Sequence, residues 1–419
     1  MNLLIFAETR HIFMSKVLFL GVPSHGHTNP TIGLVAELVK RGEEVVYFSS
    51  EQFKDKIEAT GAVYKPYIID LDLFKMGPQG EEDEDSDPFL TILQSTDLVI
   101  NDILEQTQGY QFDYIIHSVS SPFARIMAQM LQVPTVSSLA VYSGLQGFLE
   151  TDENDEQMKH PLAQRMMRAY GKVSKEIEEK YSVQMPDDVM QLMFNKGDLN
   201  LVYTSDYFLP DEDRKFLYKI FGDTVKFVGP PVFDRKENLD FPFEKLAGKK
   251  VIYVSLGTVF GNFNRGLYDI FFRSFADMDA VVVMTAYGVD ISQFTIPDNF
   301  IVRNYVPQSA ILRYANAAVT HAGMNSMSDL IYNEVPFVSL PLGADQPEMT
   351  RRAEELGATI ALDANTITPE LLRSAVEKVM NEDRYRESIH KISESFKNAG
   401  GYRMAVDEIF KLKHGKGIL

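Results

Sequence analysis

The segment from His321 to Ser326 combines several groups that can bind an anion. It follows a short apolar run at 317–320 and precedes a predicted helix, so the first backbone N–H groups of that helix are free to donate. Gly323 permits a ligand to approach closely, and the side chains of Asn325 and Ser326 add donors. The pattern predicts a phosphate site.

Side chains around this segment suit a ligand that carries hydroxyl groups and a flat ring. Asp329 lies about one helical turn further on, where its carboxylate could accept from ribose hydroxyls. Asp345 and Gln346 follow the next predicted strand, and a carboxylate beside an amide suits vicinal sugar hydroxyls. Tyr305 ends an earlier strand and offers an aromatic ring.

Two histidines follow the first predicted strand. His25 and His27 lie in the loop 23–30, at the sheet edge where ligands bind in α/β proteins. Asn29 followed by Pro30 predicts that a helix begins there. A histidine suits removal of a proton from a hydroxyl near pH 7, although a lone loop histidine is more often simply solvated.

Alternating strands and helices must position these residues. Apolar runs separated by helical segments predict strands at 16–21, 44–49, 114–120, 133–138, 251–255, 280–285, 300–305, 317–320, 337–340 and 358–362. The alternation restarts after a polar, proline-containing stretch near 229–250. The predicted fold class is α/β, with two similar doubly wound domains and a site at the carboxyl ends of their strands.

Composition excludes several other classes of protein. The formal charge is −18, from 59 acidic and 41 basic residues, which disfavours binding to nucleic acid. There are no cysteines, so disulfides and cysteine-based zinc sites are excluded. No apolar run has the roughly 18 residues that a membrane span needs. These features predict a cytoplasmic protein.

The motifs resemble those of a known family. Y-x-P-Q at 305–308, H-A-G-x-N-S-x-x-D at 321–329 and P-L-x-x-D-Q at 341–346 are similar to the donor-binding box of the UDP-glycosyltransferases. The similarity is greatest to bacterial macrolide and flavonoid glycosyltransferases. It implies the GT-B fold, in which two Rossmann-like domains face each other across a cleft.

The resemblance assigns roles to the donor-site residues and to the parts of the chain. Tyr305 would stack on uracil, with Val306 and Gln308 near the base, and Asp329 replaces a glutamate that is one methylene longer. The diphosphate would contact Thr258, His321, Gly323, Asn325 and Ser326, and the sugar would contact Asp345 and Gln346. The implied organisation is an extension without function (1–13), an acceptor domain (14–230), a linker (231–249), a UDP-sugar domain (250–395) and a C-terminal helix that crosses back (396–419).

The family pattern G-H-x-x-P identifies His27 as the catalytic base of an inverting displacement. The aspartate that usually orients this histidine is absent, and the matching position is Ser118. Asp113 lies at the other end of the same predicted strand. We therefore expect a slower transferase, or one that prefers acidic phenols.

The substrates are predicted less directly. Gln346 indicates UDP-glucose, since relatives that favour galactose tend to carry histidine there. The acceptor is expected to be a small hydrophobic flavonoid, phenol, macrolide or terpenoid, with Phe74, Phe123 and Tyr142 as candidate contacts. No metal or other cofactor is required, and the acidic segment 76–88 is interpreted as a solvated loop.

Two alternatives compete with this interpretation. The loss of the aspartate is compatible with a nucleotide-sugar-binding protein whose catalysis is impaired, although the presence of His27 favours an enzyme. A two-domain NAD-dependent oxidoreductase is disfavoured, because no G-x-G-x-x-G follows the first strand.

Overall fold

The structure of the protein is a computed structural model. It describes residues 14–71, 88–140, 161–187, 189–192, 194–230, 232–233, 239–258, 265–343 and 345–418. The proposed extension at 1–13 and the acidic segment at 76–87 lie outside these ranges. No helix in the described ranges is long and apolar enough to cross a membrane.

The first half of the chain forms a parallel sheet of seven strands in the order β3-β2-β1-β4-β5-β6-β7. Its strands are β1 (Lys16–Leu20), β2 (Glu44–Ser49), β3 (Val63–Pro66), β4 (Tyr114–Ser118), β5 (Thr135–Leu139), β6 (Leu199–Val202) and β7 (Val225–Phe227). The β1 sequence KVLFL is almost entirely buried, as expected for a strand that is covered on both faces. In the register, Leu18 pairs with Val46 on one side and with Ile115 on the other.

The second half forms a parallel sheet of six strands in the order β10-β9-β8-β11-β12-β13. Its strands are β8 (Val251–Ser255), β9 (Val281–Thr285), β10 (Phe300–Arg303), β11 (Ala317–Thr320), β12 (Phe337–Ser339) and β13 (Thr359–Ala361). The two sheets and their flanking helices confirm the predicted α/β class with two doubly wound units.

Helices cover both sheets. Those between strands of the first sheet are α1 (His25–Lys40), α2 (Lys54–Glu58), α3 (Pro88–Gln94), α4 (Thr96–Gln106), α5 (Ala124–Leu131), α6 (Pro161–Tyr181) and α7 (Asp211–Phe221). Those that follow are α8 (Gly266–Phe275), α9 (Gln308–Ile311), α10 (Met324–Tyr332), α11 (Gln346–Glu355), α12 (Pro369–Asn381), α13 (Asp383–Asn398) and α14 (Gly401–Gly415).

The strand order places the candidate residues where each sheet changes winding direction. In the first sheet the order reverses between β1 and β4, and in the second between β8 and β11. Loops that leave neighbouring strands at such a point diverge and open a crevice. His27 follows β1 and Ser118 ends β4, while Thr258 follows β8 and His321 follows β11.

The chain passes between the two sheets twice. It leaves the first sheet near Gly229, and α14 returns to pack on α1 and β6, with Ala405 and Ile409 in the core of the first sheet. The two segments that connect the halves are in contact with each other: a Cβ at Gly229 would lie 2.7 Å from the carbonyl oxygen of Phe396. The last helices therefore contact both halves, as predicted.

Candidate active site

The candidate base lies in the first turn of α1, which begins at His25 rather than at Asn29 as predicted. The hydroxyl of Ser24 caps the helix by accepting from the backbone N–H of His27 at 3.4 Å. Pro30 is consequently inside the helix instead of at its first position. The Asn-Pro signal was misleading because an earlier residue with a capping side chain started the helix.

His27 and Ser118 are in hydrogen-bond contact where the strand order of the first sheet reverses, between β1 and β4. Nδ1 of His27 lies 3.1 Å from Oγ of Ser118. The two residues are 91 positions apart in the sequence, and the fold brings their side chains together. Asp113 is engaged elsewhere, since its carboxylate accepts from the backbone N–H of Lys16 at 2.7 Å.

Burial makes His27 a weak base. It lowers the pKa of His27 from 6.5 to about 4, although the residue is partly exposed. A charged imidazolium loses solvation in this position, and a serine hydroxyl supplies no compensating negative charge. The imidazole is therefore neutral at pH 7 and able to accept a proton, but with a low affinity for it.

His25, the other histidine of this loop, packs against an aromatic ring. Its imidazole meets the ring of Phe53 edge-on, with centroids 5.0 Å apart. The two histidines therefore have different surroundings. His27 is hydrogen-bonded to Ser118, whereas His25 contacts Phe53, the residue before α2.

The predicted phosphate site lies at the N-terminus of α10. Gly323 occupies the N-cap position and supplies no side-chain cap, which suits an anion; the backbone N–H of Met324 already interacts with the carboxylate of Asp345. The ring of His321 lies between two glycines. A Cβ at Gly257 would be 2.6 Å from its Nε2, and a Cβ at Gly323 would be 2.5 Å away. Both positions thus need glycine in order to accommodate this imidazole.

The turn into α10 has an unusual backbone conformation. Ala322 has φ of 62°, in the left-handed region that costs about 1 kcal/mol or more for a residue with a Cβ. Its N–H is held by the hydroxyl of Thr320 at 3.1 Å. Burial also lowers the pKa of His321 to about 4, so this ring is neutral at pH 7. Strained backbone of this kind is concentrated at ligand sites.

Two of the predicted nucleoside contacts bind each other. Nε2 of Gln308 donates to the carboxylate of Asp329 at 2.7 Å, and the hydroxyl of Tyr253 donates to Oε1 of Gln308 at 3.0 Å. Asp329 is only 7% exposed. Its short side chain is therefore held back by Gln308. Sequence reasoning missed Tyr253, whose position inside β8 gave no motif.

The predicted sugar-binding pair begins α11. Oε1 of Gln346 accepts from the backbone N–H groups of Leu342 and Gly343 at 2.7 and 3.2 Å, so this side chain also shapes its own loop. Its Nε2 is the group that could donate to a sugar hydroxyl. Burial raises the pKa of Asp345, and backbone N–H groups of Asp345 and Met324 oppose the shift. Asp345 thus lies beside the N-terminus of α10.

The remaining predicted contacts occupy different environments. Tyr305 is 36% exposed beyond the end of β10, while the neighbouring Val306 is buried. Thr258 is partly exposed after β8. Phe123 is 1% exposed and packs near Tyr67 in the core, so its ring offers no free surface to an acceptor. The other candidate acceptor contacts, Phe74 and Tyr142, lie outside the described residues.

The two halves of the site meet directly. Nδ2 of Asn325, in the first turn of α10, donates to the carbonyl oxygen of Gly26 at 3.2 Å. Asn29, Pro30, Asn325 and Asp329 line a small cleft between the two helices. The N-terminus that carries His27 therefore faces the N-terminus predicted to bind phosphate.

A group of potential metal ligands lies elsewhere in the described part of the chain. Glu334, His390 and Glu394 are close together on the surface. Lys397 already binds the carboxylate of Glu334 at 2.7 Å, and His390 contacts its other oxygen at 3.1 Å. These contacts account for the group without an ion.

Comparisons with known proteins agree with this geometry. A sequence model of the family described as "UDP-glucoronosyl and UDP-glucosyl transferase" matches residues 236–399. The uncharacterised UDP-glucosyltransferase YojK of Bacillus subtilis is 32% identical over 95% of this chain and 97% of its own. The oleandomycin glycosyltransferase of Streptomyces antibioticus is 27% identical over 94% of this chain and 90% of its own.

A solved structure shares the fold. The glycosyltransferase of kitacinnamycin superimposes with a TM-score of 0.78 and 24% identity, covering 95% of this chain and 98% of that one. The match extends over both sheets, and so it covers the whole two-sheet fold.

Proposed function

The chain belongs to the UDP-glycosyltransferase family with the GT-B fold, and we propose on this premise that it transfers glucose from UDP-glucose to a hydroxyl of a small hydrophobic acceptor. The family makes the protein a glycosyltransferase and not an oxidoreductase, and the presence of His27 favours an active enzyme over a nucleotide-sugar-binding protein with impaired catalysis. The nucleotide, the sugar and the class of acceptor are the parts that we propose.

The observation that carries the proposal is the meeting of α1 and α10. A neutral histidine lies at one N-terminus, and the N–H groups of a helix without a side-chain cap lie at the other, with Asn325 and Gly26 in contact between them. A base on one side and an anion site on the other are the two requirements for displacing a diphosphate by a hydroxyl.

The reaction would be a single displacement. Nε2 of His27 takes the proton of the acceptor hydroxyl while that oxygen forms a bond to the anomeric carbon. The bond from this carbon to the diphosphate oxygen breaks on the opposite face, and UDP leaves with the electron pair. The configuration therefore inverts. N–H groups at the start of α10, with Asn325 and Ser326, would stabilise the charge that grows on the leaving group.

The choice of sugar and acceptor is inferred from two side chains at the start of α11 and from the names of similar proteins. Gln346 and Asp345 lie side by side at the start of α11, where they suit the hydroxyls of glucose. The similar YojK is named as a UDP-glucosyltransferase, and the similar Streptomyces antibioticus protein is named as an oleandomycin glycosyltransferase. We therefore propose a flavonoid, phenol, macrolide or terpenoid acceptor. The proposed reaction uses no metal.

The experiment is an incubation with UDP-glucose and a panel of phenols, macrolides and terpenoid alcohols in the presence of EDTA, followed by mass spectrometry. A glycoside should form with wild type and disappear with His27→Ala. His25→Ala is the matched control and should retain product, since His25 packs on Phe53 instead of Ser118. Equal product from His27→Ala and wild type would refute the role of the base.

A further inference from the structure

The carbonyl of Gly26 lacks its normal partner inside α1. In an α-helix, each backbone N–H donates to the carbonyl four residues earlier. The residue four positions after Gly26 is Pro30, which lies inside the helix and has no N–H. Pro30 therefore leaves the carbonyl of Gly26 available to a donor from outside the helix.

That donor is Asn325 of the opposite half. Its Nδ2 lies 3.2 Å from the carbonyl oxygen of Gly26, which adjoins His27 in sequence. A carboxamide nitrogen carries two hydrogens, so one can bond Gly26 while the other donates to a phosphate oxygen. The same side chain can thus contact the helix of the base and the diphosphate together.

We propose that Asn325 is a positioning residue that holds the helix of His27 against the donor site, and that Pro30 keeps the carbonyl of Gly26 free for this contact. The inference rests on the proposed function for its catalytic consequence. The contact fixes how far the base lies from the leaving group. Rates are sensitive to such distances, and a displacement of about 1 Å can reduce the rate by about 100-fold.

The substitution Pro30→Ala tests the inference without changing a predicted ligand contact. Alanine favours the helix and supplies an N–H that bonds Gly26 from within α1, in competition with Asn325. We expect kcat to fall about tenfold while the KM for UDP-glucose changes less than about twofold. A kcat equal to that of wild type would overturn the proposal.

A double-mutant cycle tests whether the effect of Pro30 depends on Asn325. In an Asn325→Ala background, Pro30→Ala should have little further effect, because the contact is already lost. In a Ser326→Ala background, the tenfold reduction should persist, since Ser326 is the next residue of the same turn and has no part in the contact. If Pro30→Ala still reduced kcat about tenfold in the Asn325→Ala background, Pro30 would act independently of Asn325.

Hydrogen exchange provides a readout that does not depend on catalysis. Peptides from the first turns of α1 should exchange faster in Asn325→Ala than in wild type or Ser326→Ala. If no glycoside forms with wild type but exchange still accelerates, the contact stands and the proposed reaction fails. Unchanged exchange in Asn325→Ala would contradict the contact itself.

Discussion

At the scale of single residues, the pairing of His27 with serine leaves the tautomer of the imidazole undetermined. A carboxylate can only accept from Nδ1–H, which keeps Nε2 free to act as a base. The hydroxyl of Ser118, 3.1 Å from Nδ1, can either accept or donate. If it donates, the proton of the ring lies on Nε2 and the base is blocked. Part of the population is therefore inactive at any moment.

Ser118→Asp should increase turnover by roughly tenfold, because the carboxylate fixes the active tautomer and stabilises the imidazolium. It should also raise the pKa of His27 from about 4. The acid limb of the kcat/KM profile should accordingly move to higher pH, as measured by initial rates between pH 4 and 8. Ser118→Ala is the control and should not exceed wild type. An unchanged or lower rate in Ser118→Asp would count against this mechanism.

The bond between Gln308 and Asp329 predicts weak selection for the ribose. Because Asp329 is short, 7% exposed and held by Gln308, it makes a poor contact with a 2′-hydroxyl. Asp329→Glu adds a methylene and should increase the ratio of kcat/KM for UDP-glucose over 2′-deoxy-UDP-glucose by about tenfold. Asp329→Asn, which keeps the short length, should not. Identical ratios in wild type and Asp329→Glu would refute this explanation.

At the scale of elements, α14 is attached to the first sheet by a buried ion pair. Nζ of Lys413 lies 2.6 Å from the carboxylate of Glu43, with side chains 8% and 3% exposed, and the hydroxyl of Tyr114 donates to the other carboxylate oxygen at 2.8 Å. Removing one member of such a pair leaves a buried charge without compensation.

Lys413→Met should therefore lower the free energy of unfolding by about 3–5 kcal/mol, measured by urea denaturation. Lys411→Met on the same helix is the matched control. Lys411 pairs with Glu408 at the same 2.6 Å, but its side chain is 69% exposed, so Lys411→Met should lower the free energy of unfolding much less than Lys413→Met. Equal losses in the two variants would show that burial does not determine the contribution.

The elements differ in how well the sequence predicts them. Continuous apolar runs gave β2 and β11 with their observed bounds, since buried parallel strands carry a strong local signal. β3, β6 and β7 were not predicted. They are strands of four, four and three residues, with β3 and β7 at the edges of the first sheet and β6 beside β7, and pairing with a neighbour defines them more than their own residues do.

At the scale of the whole molecule, buried histidines make stability depend on pH. Burial lowers the pKa of His117 from 6.5 to about 4, and the same holds for His321. Below pH 6.5 the unfolded chain takes up protons at these positions while the folded chain does not until about pH 4. The free energy of unfolding therefore falls as the pH decreases through this window.

Between pH 7 and pH 5, the free energy of unfolding should fall by about 2 kcal/mol for each such histidine. Urea midpoints at the two pH values would measure it. His117→Leu removes one titrating group, which is 1% exposed and lies in β4. Between pH 7 and pH 5, the free energy of unfolding of this variant should therefore fall by about 2 kcal/mol less than that of wild type. A decline of the same size in both proteins would contradict the buried, neutral state of His117.

Most of the donor-site prediction comes from one short stretch, 305–346, whose motifs have distinctive spacing, whereas Thr258 lies outside it. The pairing of His27 with Ser118 was implied by the family resemblance, because Ser118 matches the position of the aspartate that usually orients the histidine. The contact between Asn325 and Gly26 could not be predicted, since the residues are 299 positions apart and depend on how the two sheets approach. Likewise, nothing in the sequence around Gln308 indicated that its side chain would bind Asp329.

The return of α14 to the first sheet affects how relatives could be recombined. An exchange of everything after residue 230 would replace the helix that covers α1 and sever the pairing of Lys413 with Glu43. A chimera that takes its donor specificity from a relative should therefore be joined at two places, near Gly229 and Gly400, where the crossings touch. The segment from 401 onward belongs with the parent that supplies the first sheet, because its residues pack in the core of that sheet.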